Sequence, residues 1–191
     1  LAERSGVVNL GVEGMMALAA LTAFAAAQAY GPLPGVLAAF GVGALSGLFL
    51  GLFAVTLRAN QFVAGLAVAA LGLGASGLLG KRYEGLPLAH PLPEGGFALL
   101  GAALALLVHL FLTRTRTGLF LRSAGENPKA VDLFGVSVDG VRYLALGLGG
   151  GLIGLAGAYL SLAYRPSWTD GMTAGLGWVA IALVILAAWH P

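Results

Sequence analysis

The sequence predicts an all-α, polytopic helical membrane protein, and three observations predict it. Of its 191 residues 59% are hydrophobic and only 9% charged, with a mean hydropathy of +0.92, far from the mix of a soluble domain. The apolar residues gather into about six runs, each close to the ~20 residues that a helix needs to cross hydrocarbon. None of the runs alternates apolar and polar residues as the strands of a membrane β-barrel do.

In chain order the runs cover approximately 12–30, 35–57, 62–80, 97–113, 141–164 and 175–190. Turn-forming residues separate them: "GPLP" at 31–34, "RANQ" at 58–61, the Pro-rich "KRYEGLPLAHPLPEGG" at 81–96, a polar segment at 114–140, and "RPSWTDGMTAG" at 165–175. The 31 glycines are spaced rather than scattered. Gly43, Gly47 and Gly51 form one small-residue ridge; Gly147 with Gly151 and Gly150 with Gly154 form another. Such ridges let helix backbones approach closely in lipid, where association rests on van der Waals contact. The first residues lack both a starting Met and a signal peptide, and the last stop inside an apolar run, so the chain reads as one transmembrane domain, 1–191, cut from a longer protein.

Basic residues set the orientation. Arg4, Arg58, Arg114, Arg116, Arg122, Lys129 and Arg142 fall on one side of the predicted bundle, against Lys81, Arg82 and Arg165 on the other. Seven against three places the 114–140 segment in the cytoplasm, with the Pro-rich loop outside and Tyr164 and Trp168 as interface anchors.

Several functions are excluded. A net charge of +2 gives nucleic-acid binding no electrostatic support. There is no cysteine, and the three histidines, His90, His109 and His190, lie in separate segments without metal-ligand spacing. Two G-x-G-x-x-G matches, at Gly72-Gly74-Gly77 and Gly149-Gly151-Gly154, lack the strand-turn-helix setting of a dinucleotide site, and no P-loop occurs. No nucleophile is paired with a base. The chain reads as a conduit or scaffold rather than an enzyme.

Two stretches carry more. In "ERSGVVNLGVEGMM", residues 3–16, Asn9 and Glu13 stand four apart and would share one helix face. A carboxylate at bilayer depth costs about 2.5–3.5 kcal/mol on insertion scales and normally faces a bundle interior or a watery cavity. Ser5, Gly6 and Gly11 interrupt regular helix, as in the broken segments beside transport pathways. A cytoplasmic cap followed by an ordinary helix, with Glu13 at the interface, accounts for the spacing equally well. In "FLRSAGENPKAVDLFGVSVDG", residues 120–140, Asn127 is a good N-cap, Pro128 suits the first helical position, and Gly135 can end a short helix in the left-handed conformation. Ala130, Val131, Leu133 and Phe134 then supply an apolar patch, for a partner or for the protein's own bundle.

"ERSGVVNLGVEGMM", "SAGENPKAVDLFGVSVDGVRYLAL" and "GLAGAYLSLAYRPSWTDGMTAGLGWVAIALVI" together resemble the permease subunits of bacterial ABC importers for simple sugars and, most closely, nucleosides. The similarity covers nearly the whole chain in order. It implies a multi-pass subunit of the inner membrane that pairs with a second permease subunit, docks on separate ABC ATPase subunits and receives its ligand from an extracytoplasmic lipoprotein. ATP would be used by the partner, and this chain would carry no cofactor. The resemblance makes 114–140 the cytoplasmic coupling loop, with Gly125, Glu126, Asn127, Pro128, Ala130, Val131, Leu133, Phe134 and Gly135 at the ATPase contact. It places Asn9 and Glu13 beside the substrate pathway, where Gln61 is another of the few polar groups able to reach a central path. It also implies a polar side chain within 62–80 and an arginine at position 176, where this chain is apolar and has Leu176.

Overall fold

In the computed structural model residues 1–188 are described. Five helices are long and apolar enough to cross a membrane: α1 (Val12–Tyr30), α2 (Pro32–Gly51, continued by a π-helical turn at Leu52–Thr56), α3 (Gln61–Gly80), α4 (Glu94–Arg114) and α7 (Val138–Tyr159, continued by a π-helical turn at Leu160–Tyr164). Between α4 and α7 lie α5 (Arg116–Glu126) and the six-residue α6 (Pro128–Leu133), and α8 (Leu176–Leu186) comes last. Among the described residues there is no strand beyond two isolated bridges, Glu84 with Trp168 and Pro87 with Ser167.

Backbone-to-backbone contact through glycine holds the centre together. On α2 and α7 a Cβ added to Gly43 would meet the Gly150 carbonyl, one on Gly47 the Leu146 carbonyl, and one on Gly154 the Ala39 carbonyl. Gly51 and Gly151 receive the rings of Tyr143 and Phe40. The predicted ridges are thus one seam, α2 against α7. The same close approach joins α1 to α3, where a Cβ on Gly14 would meet Ala69 Cα at 2.6 Å and one on Gly72 would meet Gly14 Cα at 2.8 Å. Around this centre α1 is the most enclosed helix, while α4 is exposed along nearly all its length.

The sequence reading needs four corrections. "GPLP" does not form a four-residue break: Pro32 takes the first position of α2, where its missing N–H is harmless, and only Gly31 interrupts. The run at 175–190 yields eleven described helical residues, Leu176–Leu186, too few to span; its end and His190 lie outside the described residues. The 114–140 segment is largely helical. Thr115 caps α5 by accepting from Gly118 N at 3.0 Å, and Gly118, Leu121 and Ala124, three apart, are buried. Trp168 is no interface anchor: it is 1% exposed and lies on Gly80, because its segment turns inward instead of crossing the surface.

Candidate functional site

The site grows from two interruptions of helix. Residues 7–11 run without helical structure between a 3-10 turn at Glu3–Ser5 and α1, so the discontinuous reading holds and the ordinary capped helix does not. Three side-chain bonds fix this stretch. Gln61 Oε1 accepts from Val8 N at 3.0 Å, Asn9 Oδ1 accepts from Gly11 N at 2.8 Å, and Asn9 Nδ2 reaches Met15 Sδ at 3.6 Å. Asn9 shapes the turn into α1, and Gln61 ties the stretch to the start of α3.

Depth follows from α3, whose 20 residues are about 30 Å long. Gly14 packs on Ala69 and Gly72, the middle of that helix and roughly 12–17 Å from either end. The first turn of α1, and Glu13 with it, therefore sits at mid-depth. The second interruption arrives at the same level from the opposite end. From Trp168, beside Gly80, the chain descends past Asp170, beside Gly77, and starts α8 next to Glu13.

There the Glu13 carboxylate, 3% exposed, gathers three donors. Thr173 Oγ1 donates to Oε1 at 2.6 Å, Gly175 N to Oε1 at 2.9 Å and Gly177 N to Oε2 at 2.7 Å. The amides are those that the start of α8 leaves without an intrahelical partner, and a carboxylate there also suits the helix dipole. Glu13 lies in the first turn of α1 as well, so one acid serves two helix N-termini at mid-depth. The turn that delivers the amides contains three left-handed residues, Gly171, Ala174 and Gly175. At Ala174, with φ 46°, this conformation is strained.

Beside this junction is a cavity of about 480 Å³. Its walls come from residues 1–3, Val8–Leu10 and Val12, Phe62 of α3, Val108 of α4, Gly149, Leu152 and Ile153 of α7, and Ala180, Ile181, Val184 and Ile185 of α8. Asn9 and Glu3 are the only polar side chains in this lining. Of the three pathway candidates the structure brings Asn9 to the cavity and puts Glu13 and Gln61 into the framework around it. Thr173, Gly175 and Gly177 were missed. Their signal was a hydroxyl and two glycines in "TAGLG" directly before an apolar run, a ready donor set for a buried acid.

At one end of the bundle α5 and α6 pack on the start of α7. Asn127 Oδ1 accepts from Ala130 N at 3.3 Å, Pro128 is the first residue of α6, and Gly135 has φ +73°. Leu133 and Phe134 are 89% and 77% exposed, whereas Val131 is 1% exposed and belongs to a core with Leu112, Leu121 and Val141. The predicted patch therefore splits: Val131 is enclosed by α4, α5 and α7, while Leu133, on the far side of the short helix, and Phe134, where the helix ends, stand out. Gly125 packs on the Arg4 carbonyl, and the exposed Glu126 lies 3.9 Å from Arg4. No group of metal-binding side chains occurs among the described residues, and His90 and His109 are exposed and apart.

All 191 residues match the model of the family described as branched-chain amino acid transport system / permease component. The chain belongs to that family. It is 39% identical to the putative glucose ABC transporter permease protein TsgC13 of Haloferax volcanii, aligned over 100% of this chain and 65% of the relative. It is 31% identical to the guanosine ABC transporter permease protein NupQ of Bacillus subtilis, over 99% of this chain and 69% of the relative. The nucleoside ABC transporter permease protein NupC of Lactococcus lactis gives the same values, 31%, 99% and 69%. The chain thus spans about two thirds of the length of these relatives. No solved structure matches it. The resemblance read from the sequence is to this same group, and the chain is a multi-pass membrane permease component.

Proposed function

We propose that this chain builds the translocation path of an ABC importer for nucleosides and transmits the action of separate ATPase subunits through α6. The cargo assignment rests on one observation: apart from Glu3 and Asn9 the cavity wall is hydrocarbon and one phenyl ring, with Asn9 the only amide side chain in its lining. A nucleobase accepts such walls and needs few hydrogen bonds, while a hexose would leave several hydroxyls unpaired at a cost for each. The names of two of the relatives, for guanosine and for nucleosides, agree with it. The glucose name of the third supports a second reading, a simple-sugar permease on the same plan.

Leu133 and Phe134 are the natural anchors for an ATPase subunit, because two large apolar side chains stand out from a capped helix on a polar surface. A second permease subunit and an extracytoplasmic binding lipoprotein complete the assembly in this reading. Uptake of labelled guanosine and of labelled glucose into cells carrying the full-length permease with its partners tests the cargo. Guanosine uptake that unlabelled nucleosides suppress is the expected result; uptake of glucose alone would replace the nucleoside reading with the sugar one.

A further inference from the structure

We infer that Glu13 is the positioning residue of the transport cavity: by holding the N-terminus of α8 to that of α1 at mid-depth, it sets where the α8 wall stands. That the cavity carries cargo rests on the function proposed above; the geometry does not. Three observations carry it. The α8 segment forms one side of the cavity through Ala180, Ile181, Val184 and Ile185, and the other sides belong to α3, α4, α7, residues 1–3 and residues 8–12. Within α8 the only buried residue is Gly177, at the helix start, so the described contacts hold this wall at one end. That end is bonded to a single acceptor group, with Thr173 Oγ1, Gly175 N and Gly177 N all directed at the Glu13 carboxylate.

The fit admits no slack. A Cβ on Gly177 would stand 2.7 Å from both Cα and N of Glu13, so the start of α8 lies directly on the α1 backbone. Losing a donor or the acceptor leaves buried polar groups unpaired, and the cheapest relief is for the start of α8 to move away from α1. Such a shift at the anchored end is carried to Val184 and Ile185, about 10–12 Å further along the helix, where the cavity is lined.

The test uses the full-length permease in its membrane with its ATPase. The chain has no cysteine, so the pair Val108→Cys and Val184→Cys, one on each side of the cavity, reports its width through bifunctional thiol crosslinkers of graded length. With Glu13 present, yield is expected to peak at one short span. Glu13→Gln keeps the shape but presents an amide N–H₂ to one of the donors. It is expected to lower the yield at that span roughly tenfold, the factor for one charge-assisted hydrogen bond, and to raise it at longer ones. Thr173→Val, which leaves the carboxylate and both amides in place, is expected to shift the profile in the same direction by less, and it keeps the test open if Glu13→Gln does not reach the membrane. An unchanged span profile in the variants would overturn the inference. Transport lost with an unchanged profile would overturn it too, by making Glu13 a group that acts on the cargo. Because the readout is a distance, it stands whether the cargo proves to be a nucleoside or a sugar.

Discussion

At the scale of the residue, Glu13 shows what a sequence can and cannot display. Its cost in hydrocarbon and its spacing from Asn9 single it out, but its partners lie about 160 positions along the chain. Only the fold brings "TAGLG" to it, and no local pattern records that meeting. Gln61 is similar: a polar side chain at a predicted helix start reads as a pathway group until Val8 N is found on its Oε1. Gly177 gives the sharpest prediction at this scale. Gly177→Ala puts a methyl group against Glu13, where two of the three nearest atoms, N and Cα, are main chain and cannot swing aside. Overpacking of this kind costs about 1–3 kcal/mol, and it is expected to lower the thermal unfolding midpoint of the purified permease in detergent. Gly175→Ala is expected to be milder, because the space there is open and only the left-handed φ of 85° opposes it.

Individual elements divide into those written locally and those made by packing. α6 is written locally: Asn127, Pro128 and Gly135 occupy the cap, first position and left-handed exit that their chemistry suits. α5 was hidden because its polar composition masks a narrow apolar stripe, Gly118, Leu121 and Ala124, whose partners are α4, α6, α7 and the 3-10 turn. The α2–α7 seam was legible as glycine ridges, since four-residue spacing of small residues has one main use in a membrane; Gly47→Val there is expected to reduce the amount of folded permease recovered, its Cβ meeting the Leu146 carbonyl. Val131 and Phe134 make opposite predictions. Val131→Ala removes buried methyl groups from the permease itself and is expected to cost about 2 kcal/mol of its own stability. Phe134→Ala, at an exposed position, is expected to leave permease amounts unchanged while transport and co-purification of the ATPase fall. Full transport and full ATPase recovery with Phe134→Ala would leave α6 as a surface helix without a coupling role.

For the whole molecule the open question is which way the bundle faces, and the structure strengthens the charge argument by gathering the charges at two ends. At one end Arg4 lies 3.9 Å from Glu126, Arg142 Nε donates to the Ser5 carbonyl at 3.3 Å, and Thr56, two residues before Arg58, bonds to Tyr143 at 2.7 Å. At the other end Leu88 N donates to the Pro166 carbonyl and Leu92 N to the Leu162 carbonyl, each at 2.9 Å, joining the loop of Lys81 and Arg82 to that of Arg165. Arg4 precedes a broken helix, and its contact with Glu126 puts it at the α5 end, so all seven bases on that side count together. An excess of Lys and Arg marks the cytoplasmic face, and the Glu13 junction, equally far from both ends, does not bias the choice. With no native cysteine to interfere, Lys129→Cys and Glu94→Cys, both at exposed positions, can be treated separately with a membrane-impermeant thiol reagent on intact cells. Labelling is expected at position 94 at once and at position 129 only after the cells are opened; the reverse pattern would turn the bundle over and remove α6 from the side where an ATPase can reach it.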